Sequence, residues 1–151
     1  MTRPAAVTAV PPLVWWRRPP VLVAVTGAWW LARQSPARIQ TVLTKLRRGA
    51  RPATYPQALK ARNDVLATSV QCHGEGCLQR SLATALLCRL RGTWPTWCTG
   101  VRTHPFGAHA WVQVGDRPVD EPYPDDYYRP MLVVAPGPGT RSTVKPRPSQ
   151  R

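Results

Sequence analysis

Acidic residues are scarce in this 151-residue chain: 7 Asp+Glu stand against 21 Lys+Arg, a formal net charge of +14. That imbalance disfavours a cationic partner and favours an anionic one, whether nucleic acid, membrane or acidic peptide. Nearly all the basic residues are Arg, and 18 Pro and 7 Trp accompany them, so part of the excess is a habit of composition. Long apolar runs are also missing. The best, "VLVAVTGAWWLA" at 21–32 behind Arg17 and Arg18, is shorter than the ~20 residues needed to cross a bilayer. It lacks a small-residue cleavage site, and it reads as a core helix or docking segment of a cytoplasmic, reduced protein. Cysteine is sparse too. Cys72, Cys77, Cys88 and Cys98 are separated by 5, 11 and 10 residues, whereas zinc sites usually bring ligands in pairs about two to four apart. Neither a metal nor a cofactor is expected.

What is present divides into blocks. The length suits one domain with a continuous core. Residues 1–20 are Pro-rich with scattered Trp and no period, which predicts an arm; residues 21–135 form the domain; from Pro136 a Pro- and Gly-rich basic tail is expected to be disordered. Within the domain, Ser35-Pro36 starts a helix with Ile39, Val42, Leu43 and Leu46 at helical spacing, and Gly49 stops it behind Lys45, Arg47 and Arg48. A second helix begins near Pro56 with Ala58, Leu59, Ala61, Val65 and Leu66 facing the core, and a third begins at Cys77. "TWCTGVRT" and "HAWVQV" are rich in β-branched and aromatic residues and predict strands, and Gly115-Asp116 predicts a hairpin turn. Helices followed by a small antiparallel sheet make an α+β fold.

The cysteines divide by position. Gly74 and Gly76 let the chain turn into the third helix, and Cys77 lands in its first turn. Unpaired N–H groups and the helix dipole there stabilise an anion, which lowers a thiol's pKa and makes a nucleophile. Cys88, three turns on between Leu87 and Leu90, lacks that field and reads as core packing. A nucleophilic thiol needs a base, and His73, His104 and His109 are available. His73 stands just before the helix, and His104 precedes Pro105 in a loop. His109 opens an alternating strand on the face of Trp111 and Gln113, opposite Ala110, Val112 and Val114. Histidines at strand starts are often structural, so position alone leaves both roles open for it.

An acid that orients the imidazole is offered by "VDEP" at 119–122. A two-residue loop at Gly115-Asp116 puts Asp120 opposite Trp111 on the His109 face; a three-residue loop puts Glu121 there. Both carboxylates could also simply neutralise nearby arginines.

The segments "CLQRSLATALLCRLRG", "GVRTHPFGAHAWVQV" and "DEPYPDDYYRP", in that order, resemble the lasso peptide leader peptidases, the transglutaminase-like microcin-processing family often called the B protein. The resemblance covers roughly residues 20–135. It implies a papain-like transglutaminase core and a cysteine peptidase with Cys77 as nucleophile, His109 as base and Glu121 as acid, where the family more commonly carries Asp. Asp120 remains the competing acid. The reaction implied is removal of the leader from a lasso precursor peptide before a separate cyclase closes the ring.

The family's small leader-recognition domain has no counterpart before Cys77, so the expected partners are the precursor, a separate recognition protein and the cyclase, with neither nucleic acid nor a membrane span. The basic helix at 35–49 and the Trp-rich arm are candidate docking surfaces. Two other readings compete: a basic nucleic-acid-binding module, which gives a helix-start cysteine and "HAWVQV" no role, and a transglutaminase-like amidase on another substrate.

Overall fold

A computed structural model of the protein describes residues 14–69, 76–124 and 126–137. A single 3-10 turn, Trp15–Arg17, leads into α1 (Arg18–Leu31), so the chain becomes helical inside the segment expected to be an arm. Pro19 and Pro20 fall in the first turn of α1, where a missing N–H costs no intrahelical bond. Its Val21, Ala24, Ala28 and Leu31 are buried at helical spacing, which makes the apolar run at 21–32 a core helix. No helix among the described residues is long and apolar enough to cross a membrane.

The next two helices start where their caps dictate. The Ser35 hydroxyl accepts from the Arg38 N–H at the head of α2 (Pro36–Leu46), and Thr54 forms a reciprocal capping box with Gln57 at the head of α3 (Tyr55–Thr68). Between them β1 (Arg51–Pro52) pairs in parallel with β2 (Thr93–Trp94). α4 (Cys77–Leu90) is the central helix. It packs against α1, α3 and the main sheet, and Ser81, Leu82, Ala83, Thr84, Ala85, Leu87 and Cys88 are all buried. Burial around nearly its whole circumference explains why no clean polar face is legible in its sequence.

The main sheet is antiparallel in the order β5-β4-β3-β6, from β3 (Thr96–Thr103), β4 (Phe106–Val114), β5 (Arg117–Pro118) and β6 (Arg129–Val134). β3 coincides with the expected "TWCTGVRT" strand, while β4 starts before His109 and β6 was not anticipated. Two fully buried tryptophans lock these layers. Trp97 donates its indole N–H to the Ser81 hydroxyl of α4 at 3.1 Å, and Trp94 donates to the Val134 carbonyl of β6 at 3.1 Å. Each thus adds a large apolar contact without leaving a buried donor unpaired.

Candidate active site

α4 begins at Cys77 behind Gly76, whose lack of a side chain leaves the N-cap position without a capping group. The thiol hydrogen-bonds His109, and that bond is the largest influence lowering its pKa. Burial opposes the shift, while a hydrogen bond from the Ala110 backbone and the charges of His109 and Arg80 reinforce it. Cys88 and Cys98 behave oppositely: burial pushes both thiols up to about 12. All three are free. Cys77 is therefore the described cysteine with a stabilised thiolate.

His109 stands on β4, paired with Gly100 of β3. Its Nε2 lies 2.8 Å from Glu121 Oε2, and the side chains are 10% and 7% exposed. With Nε2 committed to Glu121, Nδ1 is the nitrogen left for the Cys77 thiol. Burial alone would lower the pKa of His109; hydrogen bonds to Cys77 and Glu121, and the charges of both, outweigh it and raise the value to about 9. The resting site consequently favours a thiolate beside an imidazolium.

The neighbouring acid points elsewhere. β4 and β5 pair Gln113 with Pro118 and Val114 with Arg117, so the hairpin loop is the two residues Gly115 and Asp116, with Gly115 at φ 63°. Such a loop was expected to carry Asp120 to the His109 face, but the ladder ends first. The Val119 N–H still donates to the Val112 carbonyl at 3.0 Å, and then Asp120 adopts φ 50° and turns the chain out of the strand. Asp120 instead binds Arg62 at 2.9 Å, and its N–H donates to the Tyr55 hydroxyl at 3.1 Å. Glu121 is thereby swung to His109. The link between loop length and acid is thus corrected: a tight turn coexists with Glu121 at the imidazole.

An aromatic wall closes this side. The Trp111 ring lies parallel to His109, with centroids 5.9 Å apart and 12° between planes; Tyr128 is 5.0 Å away, and Tyr123 meets the imidazole edge at 5.6 Å. Arg102 lies 4.8 Å over the Tyr127 ring. Beside the thiol and His109 a 250 Å³ groove opens, lined by Leu78, Thr99, Val101, Ala108 and Met131.

Comparison with known protein families matches residues 21–133 to the Transglutaminase-like superfamily. The chain belongs to this superfamily. Its α+β architecture, with a helix-start cysteine against an antiparallel sheet, is that of a transglutaminase-like domain. No curated protein and no solved structure matches the chain.

In this transglutaminase-like domain the sequence-selected Cys77, His109 and Glu121 come together, and Asp120 does not join them. Cys72 and His73 lie outside the described residues. His104 sits exposed in the β3–β4 turn and bonds only to Thr103 among the described residues. Sequence reasoning missed Tyr123, Tyr127 and Tyr128. Their density in "PYPDDYYRP" just after the acid was the available signal. Arg62, whose burial lowers its pKa, carried no local signal at all.

Proposed function

We propose that this protein is a cytoplasmic cysteine peptidase in which Cys77, His109 and Glu121 act as nucleophile, general acid–base and orienting acid. The observation that carries the reading is the continuous hydrogen-bonded chain from thiol to imidazole to carboxylate. The Cys77 thiolate attacks the scissile carbonyl carbon, forming a C–S bond and moving the π electrons onto oxygen. The Cys77 N–H, in the first turn of α4, would donate to that oxyanion. The His109 imidazolium gives its proton to the amide nitrogen as the C–N bond breaks and the amine leaves. Neutral His109 then takes a proton from water, which hydrolyses the thioester and restores the thiolate. Glu121 holds Nε2 throughout, fixing the tautomer and balancing the imidazolium charge.

The resemblance of the three quoted segments supports a narrower substrate: a lasso precursor delivered by a separate recognition protein, its leader cut off before a separate cyclase closes the ring of the core peptide. The test is cleavage of a precursor at its leader–core junction by wild type and by Cys77→Ala, with and without the recognition protein. We expect cleavage by wild type, acceleration by the recognition protein through effective concentration, and none in the variant. Hydrolysis of small amides by wild type without any precursor cleavage would instead favour the amidase reading.

A further inference from the structure

A second cavity, of 320 Å³, lies at the other end of the central helix. It is bounded by Trp16, Arg17 and Pro20 at the start of α1, by Gln57 and Lys60 on α3, and by Cys88, Arg91 and Thr93 where α4 runs into β2. Cys88 is eleven residues beyond Cys77 along α4, roughly 16 Å at 1.5 Å per residue, so this cavity is separate from the thiol groove.

The polar groups that line it are almost all donors. Arg17 is exposed, and no carboxylate pairs with it among the described residues. Lys60 and Arg91 share one carboxylate, Asp64, at 3.5 and 2.6 Å, so three cations face a single acid. The Gln57 Oε1 already accepts from the Thr54 N–H, which leaves its NH2 group to donate. Thr93 spends its hydroxyl proton on the Cys88 carbonyl at 3.2 Å. Beside these donors Trp16, 67% exposed, and Pro20 supply an apolar rim.

We propose that this cavity is a docking site for an acidic peptide segment, taking a Glu or Asp side chain against Arg17 and Lys60 and an adjoining apolar side chain against Trp16. The guanidinium of Arg17 offers a planar fork that matches a carboxylate, with Lys60 as a second point charge. The volume lies at the small end of ligand pockets, roughly 300–1,000 Å³, which suits peptide side chains better than a nucleotide cofactor. A nucleic-acid backbone needs a basic track following successive phosphates, whereas the charge here converges on one half-open hollow with an apolar edge. The excess of 21 basic over 7 acidic residues strengthens attraction of such a segment at long range. A partner bound here leaves the thiol groove open. The inference stands apart from the peptidase reading, because it is tested by binding alone.

The experiment is fluorescence anisotropy of the full chain with a fluorescein-labelled peptide of Glu and Leu residues, compared with the same peptide carrying Gln for every Glu. The Glu peptide should bind, and the Gln peptide should bind at least about tenfold more weakly. Arg17→Glu should weaken binding about tenfold and Trp16→Ala severalfold, with circular dichroism unchanged because both side chains are exposed. Arg33→Glu, an identical charge change at an exposed residue beyond the far end of α1, should leave binding near wild type. Equal losses in Arg17→Glu and Arg33→Glu would reduce the effect to net charge and overturn the proposal. So would equal binding of the Glu and Gln peptides, or an Arg17-dependent preference for a single-stranded oligonucleotide over the Glu peptide.

Discussion

His109 Nε2 meets Glu121 Oε2 at 2.8 Å, although the hairpin register, followed residue by residue, points to the preceding acid. The positive φ of Asp120 makes the difference, and it gives the two acids separate roles that mutation can resolve. Glu121→Gln should lower kcat by about a hundredfold or more, since the amide fills the space without stabilising the imidazolium. Asp120→Asn should be mild, because Asn tolerates a left-handed backbone and keeps an acceptor for Arg62. Asp120→Val should lower both stability and rate, the β-branched side chain costing about 1–2 kcal/mol at that φ. Comparable rates for the Asn and Val variants would show that the kink does not deliver Glu121.

The thiols should separate chemically. Iodoacetamide at neutral pH should label Cys77 well before Cys88 or Cys98, whose thiols burial holds up to about 12. Peptide mass mapping after short exposure reads the order. Cys88→Ala should keep activity while lowering stability by about 1–2 kcal/mol, as expected for a small deletion from a packed core.

Activity should follow a bell in pH. The acid limb marks protonation of the Cys77 thiolate, below the ordinary thiol value, and the alkaline limb marks loss of the His109 proton near pH 9. Stability carries the same signature. The folded value of His109 exceeds the ordinary 6.5, so the imidazolium's contribution is complete below about pH 6.5 and is lost as pH rises through about 9. Glu121→Gln removes one cause of the elevation, so both the alkaline limb of kcat/KM and the alkaline fall in Tm should move to lower pH. An alkaline limb unmoved by that substitution would disconnect Glu121 from the titration.

Gly100 should resist substitution. A Cβ there would stand 2.5 Å from the Arg129 carbonyl oxygen and 2.9 Å from Trp111 Cη2, both too close. Gly100→Ala must displace β6 or push the indole that stacks on His109. A loss of about 1–3 kcal/mol in stability is expected from the crowding, together with a fall in kcat. Thermal unfolding and steady-state rates measured on the same preparation check both.

Much of the scaffold was legible because its signals are local. Ser35 with Pro36, and the turn at Gly115-Asp116, act within a few residues, and the structure keeps them where the sequence put them. The alternation that grouped His109 with Trp111 and Gln113 likewise survives as a ring stack and a Trp111–Gln113 hydrogen bond at 3.0 Å. β6 was missed because "RPMLVV" carries a proline at its second position and has no polar–apolar alternation, and its pairing partner β3 lies about thirty residues earlier.

The sequence by itself determined the α+β class, the helix that presents Cys77 and the strand that presents His109, since caps, turns and periodicity are written in neighbouring residues. Only the tertiary structure decided between Asp120 and Glu121. Adjacent acids differ by one backbone rotation, and Asp120 is bound by Arg62 and Tyr55, 58 and 65 residues away. The same holds for the tyrosines over His109 and for the cavity between α1, α3 and β2, whose walls come from segments that meet only when the core closes around α4.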